Sequence, residues 1–251
     1  MLSNRKGEIN VNKYGTKMEI VDYKSSKEVI IKFLDDYEYI TRTTYSEFKK
    51  GTTRNPYDKT IYNTGYIGVG KFCSSYDTRL YNVWFDMIRR CYNPYLLNNN
   101  RYARYRDCKV CNEWLNLQKF GEWYEKNYYE VNNETMHLDK DILIKGNKIY
   151  SPKTCIFVPQ IINDIFVKQV RKSTELPTGC YICDNKLFMS CRIGDKRVYK
   201  SGYNLNDVEE AFDDYKLIKE KYIKEVAEKY KKFIPKKLYD VLMNYTINID
   251  D

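Results

Sequence analysis

The sequence predicts an α+β protein, with short strand segments towards both ends of the chain and strongly helical spacing in the middle. Three observations carry this reading. Residues 18–23 and 29–33 are rich in β-branched and aromatic side chains and are followed by the turn-forming pair Asp35-Asp36. Leu80, Val83, Trp84, Met87, Ile88 and Cys91 recur with the 3.6-residue period of one helix face. Residues 187–193 and 197–203 form two further strand-like runs on either side of Gly194-Asp195. With 251 residues, 43% hydrophobic and 31% charged, the chain can bury a core in each of several small modules, which excludes wholesale disorder.

The elements divide into three segments. In residues 1–70, strands at 18–23, 29–33 and 37–43 make a small antiparallel sheet or barrel. Lys49, Lys50 and Arg54 surround Gly51-Thr52-Thr53 in a basic loop, read either as a solvated turn or as a phosphate-contacting edge. In residues 71–172, the helix carrying Trp84 has Arg79, Arg89 and Arg90 off its apolar stripe, and Pro94 and Asn98-Asn99-Asn100 interrupt the pattern. The stretch from Arg101 to Arg106 sets Arg101, Arg104 and Arg106 beside Tyr102 and Tyr105, pairing phosphate-binding guanidinium groups with rings that stack. A second helix covers 117–128 with Phe120 and Tyr124 inward and Trp114 packed nearby. In residues 173–251, strands at 180–183, 187–193 and 197–203 turn at Asp184-Asn185 and Gly194-Asp195 to give a three-stranded meander. Asn206-Asp207 then caps a long helix with Val208, Phe212, Tyr215, Ile218, Tyr222 and Val226 on its apolar side. Pro235 ends that helix, and Leu238, Val241 and Leu242 mark a last short one.

Charge narrows the partners. A net charge of +9 draws the chain towards polyanions, and the 26 tyrosines suit surfaces that stack and hydrogen-bond. The first seven residues hold no apolar signal segment, and no run approaches the about 20 apolar residues of a membrane span. The expectation is a cytoplasmic protein, with no membrane partner and with its eight cysteines reduced. Cys108 and Cys111 form a CxxC pair, which Cys91 and Cys155 would complete into a structural zinc site. The alternative, which the residues favour, is that these thiols are buried as small hydrophobes. Cys180 and Cys183 fall on opposite faces of their strand and make a poor ligand pair.

The middle of the chain carries a resemblance. Tyr81-Asn82-Val83-Trp84-Phe85-Asp86-Met87-Ile88-Arg89-Arg90-Cys91-Tyr92, then Val110-Cys111-Asn112-Glu113-Trp114, then His137-Leu138-Asp139-Lys140-Asp141 and Tyr150-Ser151-Pro152-Lys153-Thr154-Cys155, resemble phage HNH-type homing endonucleases. Residues 179–212 are similar to the DNA-binding domain of plant ethylene-response transcription factors, which such phage proteins often carry at the C-terminus. The resemblance implies a ββα-metal nuclease core, a phage-encoded protein acting in a bacterial cytoplasm, and a divalent ion, Mg or Mn, that neutralises the phosphate. Asp139 matches the metal-binding position. Lys140 stands where the general-base His belongs and Thr154 where the Asn belongs, while Asn163 lies in a stretch that resembles the helical arm. His137 is the only histidine, and strand alternation sends His137, Asp139 and Asp141 to one face. That makes Asp139 and Asp141 the candidate metal ligands, with His137, Asp139 and Asn163 the candidate catalytic residues.

The C-terminal meander gives a separate nucleic-acid argument. Phe188, Ser190 and Arg192 share one face of the second strand, and Arg197, Tyr199 and Ser201 share one face of the third. Met189, Cys191 and Ile193 point the other way and pack on the long helix. Lys186 and Lys196 stand at the turns. Together Lys186, Phe188, Arg192, Lys196, Arg197 and Tyr199 are the candidate contacts to duplex DNA, since a sheet face of this size fits the major groove and Arg reads guanine. Three functions follow from these features: a metal-dependent site-specific endonuclease, a DNA-binding regulator without catalysis, and a factor acting on a host protein through its basic, Tyr-rich surface.

Overall fold

The computed structural model of the protein describes residues 5–131, 133–166 and 176–250, and its helices and sheets form an α+β fold. The chain makes two compact units, Met1–Lys126 with Ile149–Ser151, and Asn127–Lys148 with Pro152–Asp251. The expected boundary at 172/173 lies outside the described residues.

The first unit opens on an antiparallel meander of β1 (Ile9–Val11), β2 (Lys17–Ser25), β3 (Glu28–Phe33) and β4 (Ile40–Thr43). Alternation puts Met18, Ile20, Val29, Ile31 and Phe33 on one face, where they bury completely with Phe48. Phe48 comes from α1 (Tyr45–Lys50), which starts in a capping box between Thr44 and Glu47. Lys49 and Lys50 therefore close a helix instead of forming the expected basic loop. Gly51 ends it at φ 66°, where a Cβ would stand 2.6 Å from the Val11 carbonyl oxygen. The third expected strand starts at Ile40, because Tyr37 leaves the sheet to stack on Tyr57 with ring centroids 3.8 Å apart.

No boundary falls at residue 70. The Tyr66 amide donates to the Leu115 carbonyl at 2.9 Å, and the Leu117 amide donates back to the Tyr66 carbonyl at 3.0 Å. The buried Gln118 amide donates to the Ile67 and Phe72 carbonyls at 3.0 and 2.8 Å. These bonds tie residues 66–72 to the helical half of the unit. That half contains α2 (Thr78–Tyr92), α3 (Pro94–Leu97), a 3-10 helix (Asn100–Tyr105), β5 (Lys109–Val110), a second 3-10 helix (Asn112–Leu115) and α4 (Leu117–Asn127). Leu80, Trp84, Met87, Ile88 and Cys91 are buried on α2, as their spacing requires, and the Trp84 indole donates to the Trp114 carbonyl at 2.7 Å.

The second unit begins with β6 (Met136–Asp139). The chain then returns to the first unit as β7 (Ile149–Tyr150), parallel to β5, before β8 (Ile156–Pro159) pairs antiparallel with β6 and runs directly into α5 (Gln160–Phe166). β6, β8 and α5 make a strand–strand–helix unit. Next come β9 (Cys180–Cys183), β10 (Lys186–Ile193) and β11 (Lys196–Tyr203), an antiparallel sheet in the order β11-β10-β9, then α6 (Val208–Tyr230) and α7 (Lys236–Met243). Asp184 and Asn185, both at positive φ, make the first hairpin turn.

Cys180, Leu187, Met189 and Cys191 are wholly buried on the sheet side that faces α6, together with Ala211, Phe212 and Tyr215 of that helix. Gly179 sits at φ 95° against Tyr215, where any Cβ would come within 2.3 Å of the ring. The far end of α6 buries Ile223, Val226, Ala227 and Tyr230, and Tyr230 donates its hydroxyl to Glu134. Two expectations need correction here. Asp207 occupies the N-cap position, but its carboxylate accepts from the Asn204 amide and side chain at 2.9 and 2.7 Å, leaving the helix amides alone. α6 stops at Tyr230, and Pro235 stands at the start of α7, where its fixed φ and missing N–H fit a helix N-terminus. Among the described residues no helix is long and apolar enough to cross a membrane.

Candidate nucleic-acid interface

The register of β10 and β11 decides which side chains meet on the side of the sheet away from α6. Phe188 pairs with Ser201, Ser190 with Tyr199, and Arg192 with Arg197. Directly opposed residues share a face, so Phe188, Ser190, Arg192, Arg197, Tyr199 and Ser201 form one surface, as the alternation predicts. β9 extends it: Tyr181 pairs with Phe188, and their rings stack at 5.4 Å with 16° between planes. Tyr181 escaped the sequence reading, although its place two residues before Cys183 in a strand opposite Phe188 was the available signal.

The two arginines are held separately. Arg197 donates from Nη1 to the Ser190 hydroxyl at 3.0 Å, and Arg192 donates from Nε to the Gly194 carbonyl at 2.9 Å. Ser190 is buried and so acts as a fixed post for Arg197, a role invisible in the sequence. Tyr199 is 63% exposed beside them. Lys186 shares this face through its even spacing from Phe188. Lys196 pairs with Ile193, and its alternation places it with Val198 and Lys200 on the α6 side. There Lys200 is ion-paired with Asp214 of α6, and Tyr203 donates to the same carboxylate at 2.6 Å. The hydrogen bond from Lys200, followed by that from Tyr203, holds the Asp214 carboxyl below the usual carboxylate range. The acidic partner thus lies on the helix side, and none of the residues on the opposite face is acidic.

Arg101, Arg104 and Arg106 lie in the first unit, all exposed on or just after the first 3-10 helix. They are not equivalent. Arg106 is bound into the fold, donating to the Leu97 carbonyl and the Asn100 side chain, each at 3.0 Å. The Arg104 guanidinium lies 5.2 Å from the Tyr105 ring centre, and that of Arg90 lies 5.7 Å from the same ring.

The nuclease-like residues are arranged differently from the expectation. His137 and Asp139 share a face of β6, but Asp141 lies beyond the end of the strand. The Asp139 carboxylate accepts the Asp141 and Ile142 amides at 2.9 and 2.7 Å, closing the turn that follows β6. Its pKa is raised by burial first and by the Asp141 charge second. Lys140 is buried, 7% exposed, with Nζ 3.0 Å from the Asp141 carboxylate. His137 Nε2 is 2.6 Å from the Gln160 side-chain oxygen, and Asn163 is half-buried on α5. Among the described residues no three His, Cys, Asp or Glu side chains gather closely enough to hold a metal ion. Of the cysteines considered for zinc, Cys91, Cys108 and Cys155 are buried and Cys111 is half-buried, with its pKa raised by burial. Cys180 is buried and Cys183 exposed, on opposite faces of β9.

No protein-family model matches the sequence, and no curated protein or solved structure matches it.

Proposed function

We propose that the protein binds double-stranded DNA, with the face of the C-terminal sheet opposite α6 as the principal contact surface. One observation carries the reading: Arg192 and Arg197 are directly opposed across β10 and β11 on a face flanked by Tyr199, Phe188 and Tyr181. Like charges set opposite each other on a sheet weaken it, so the pair makes physical sense as a receptor for an anion lying over both. Guanidinium groups bind phosphate and guanine bidentately, and the aromatic neighbours supply apolar contact to sugars and bases. The net charge of +9 adds long-range attraction to the same partner.

Within that reading the resemblance to phage homing endonucleases makes the protein a DNA-directed factor of that type. The strand–strand–helix unit of β6, β8 and α5 has the element order of the nuclease core that the resemblance implies. Asp139, Asp141 and His137 are each engaged by other groups of the fold, so no cleavage step is assigned to them, and the function proposed is DNA binding. A host-protein partner is the competing outcome. The deciding experiment is fluorescence anisotropy on labelled duplexes of mixed sequence across a salt series in EDTA. Binding that weakens steeply with salt, and weakens further in Arg192→Ala and Arg197→Ala, is expected. Wild-type and variant proteins that bind equally would overturn the assignment of the face.

A further inference from the structure

We propose that the Lys140 ammonium takes the place of a divalent cation beside Asp139 and Asp141, so that the strand–strand–helix unit folds and holds its shape without metal. The inference stands apart from the assignment of the sheet as a DNA-binding face.

A divalent ion bound by carboxylates needs oxygen lone pairs turned towards one point, usually six or so from protein and water. Here Asp139 Oδ1 is turned inward to two backbone amides of its own turn, Asp141 and Ile142. Asp141 lies past the strand and turns its Oδ2 to Lys140. His137 turns its Nε2 to Gln160, whose amide nitrogen in turn reaches the Asp164 carboxylate at 2.9 Å. One oxygen of each carboxylate and the Nε2 of His137 are thus already engaged within the protein.

Lys140 explains why. A lysine side chain this deeply buried is rare and persists only when its charge is paired. Its backbone carbonyl is fixed by the Asn147 side chain at 2.7 Å, which locks the turn that delivers the ammonium to Asp141. The chain thus carries, covalently and next to the two carboxylates, the positive charge that a metal would bring. A lysine at this position also blocks the site electrostatically, since a dication would have to approach an ammonium that cannot leave.

The test uses the full-length chain and Mn²⁺ as probe. Titration followed by electron paramagnetic resonance should leave the Mn²⁺ signal that of the free ion, and the Tm should be the same in EDTA as in millimolar Mn²⁺. In Lys140→Gln the two carboxylates lose their cation. That variant should unfold at lower temperature than the wild type, and Mn²⁺ should raise its Tm. If Lys140→Gln does not fold, the wild-type titration decides alone. A stoichiometric Mn²⁺ site in the wild-type chain that disappears in Asp139→Asn would overturn the proposal, as would a folded Lys140→Gln whose Tm ignores Mn²⁺. The outcome is separable from the DNA reading, because duplex binding in EDTA tests the sheet whatever the metal result.

Discussion

Two antiparallel meanders in this chain share a plan and differ in how they use their open face. Each sheet is covered by a helix on one side: Phe48 of α1 seals Met18, Ile20, Val29, Ile31 and Phe33, while Phe212 and Tyr215 of α6 seal Leu187, Met189 and Cys191. On the N-terminal sheet the outward charges neutralise one another locally. Lys32 pairs with Glu38 at 2.6 Å, and Arg42 and Lys24 both reach Glu28 at 3.3 Å. On the C-terminal sheet the outward arginines face each other, and the ion pair between Lys200 and Asp214 is on the helix side. The same architecture therefore yields an outward face with locally paired charges in one unit and a basic face without acidic residues in the other. The strands differ in composition as well: β1–β4 carry four basic and three acidic residues, whereas β9–β11 carry five basic and none acidic.

The largest expected effects test the shared plan. Ile31→Ala and Met189→Ala each remove a wholly buried side chain, and each should destabilise its unit by about 2–5 kcal/mol in denaturant unfolding. Only Met189→Ala should also abolish duplex binding. Equal loss of binding in both variants would break the comparison.

Next come the arginines. Arg197→Ala should cost about 1–3 kcal/mol of duplex affinity in anisotropy titrations. If the contact is to phosphate, the loss should be uniform across sequences and the salt slope should fall by about 1. Arg42→Ala on the N-terminal sheet should leave affinity unchanged, since its charge is already paired with Glu28.

A smaller effect sharpens the contrast further. Arg192→Thr removes one of two opposed like charges and should stabilise the free protein by about 0.2–1 kcal/mol while weakening DNA binding. A variant that loses both stability and affinity would mean that the Arg192 bond to Gly194 matters more than the repulsion.

The mildest effect is on pH. Glu47, in its capping box, and Asp214, beside Lys200, both have depressed pKa values, the first held mainly by the Thr44 amide and the second by Lys200. A depressed carboxylate contributes stability that is complete above its unfolded pKa, about 4.3 for Glu and 3.9 for Asp. That contribution is lost as pH falls through the lower folded value. Thermal unfolding should show this acid loss reduced in Glu47→Gln for the first unit and in Lys200→Met for the second.

The sequence by itself determined the fold class, the helix carrying Trp84, the three C-terminal strands and the sharing of one face by Arg192 and Arg197. All of these rest on side-chain period, which is local and survives without knowledge of neighbours. It also contained, unread, the Thr44-x-x-Glu47 start of α1. The domain boundaries, the inward turn of Lys140, the loss of Asp141 from the strand face and the anchoring of Arg106 belonged to the tertiary structure alone. Each depends on a partner remote in sequence or on which of several hydrogen bonds a polar group takes: Gln118 reaching Ile67, Asp139 choosing the backbone of its own turn, Arg106 reaching Leu97. Period tells which way a side chain points. Only the packed chain tells what it meets there.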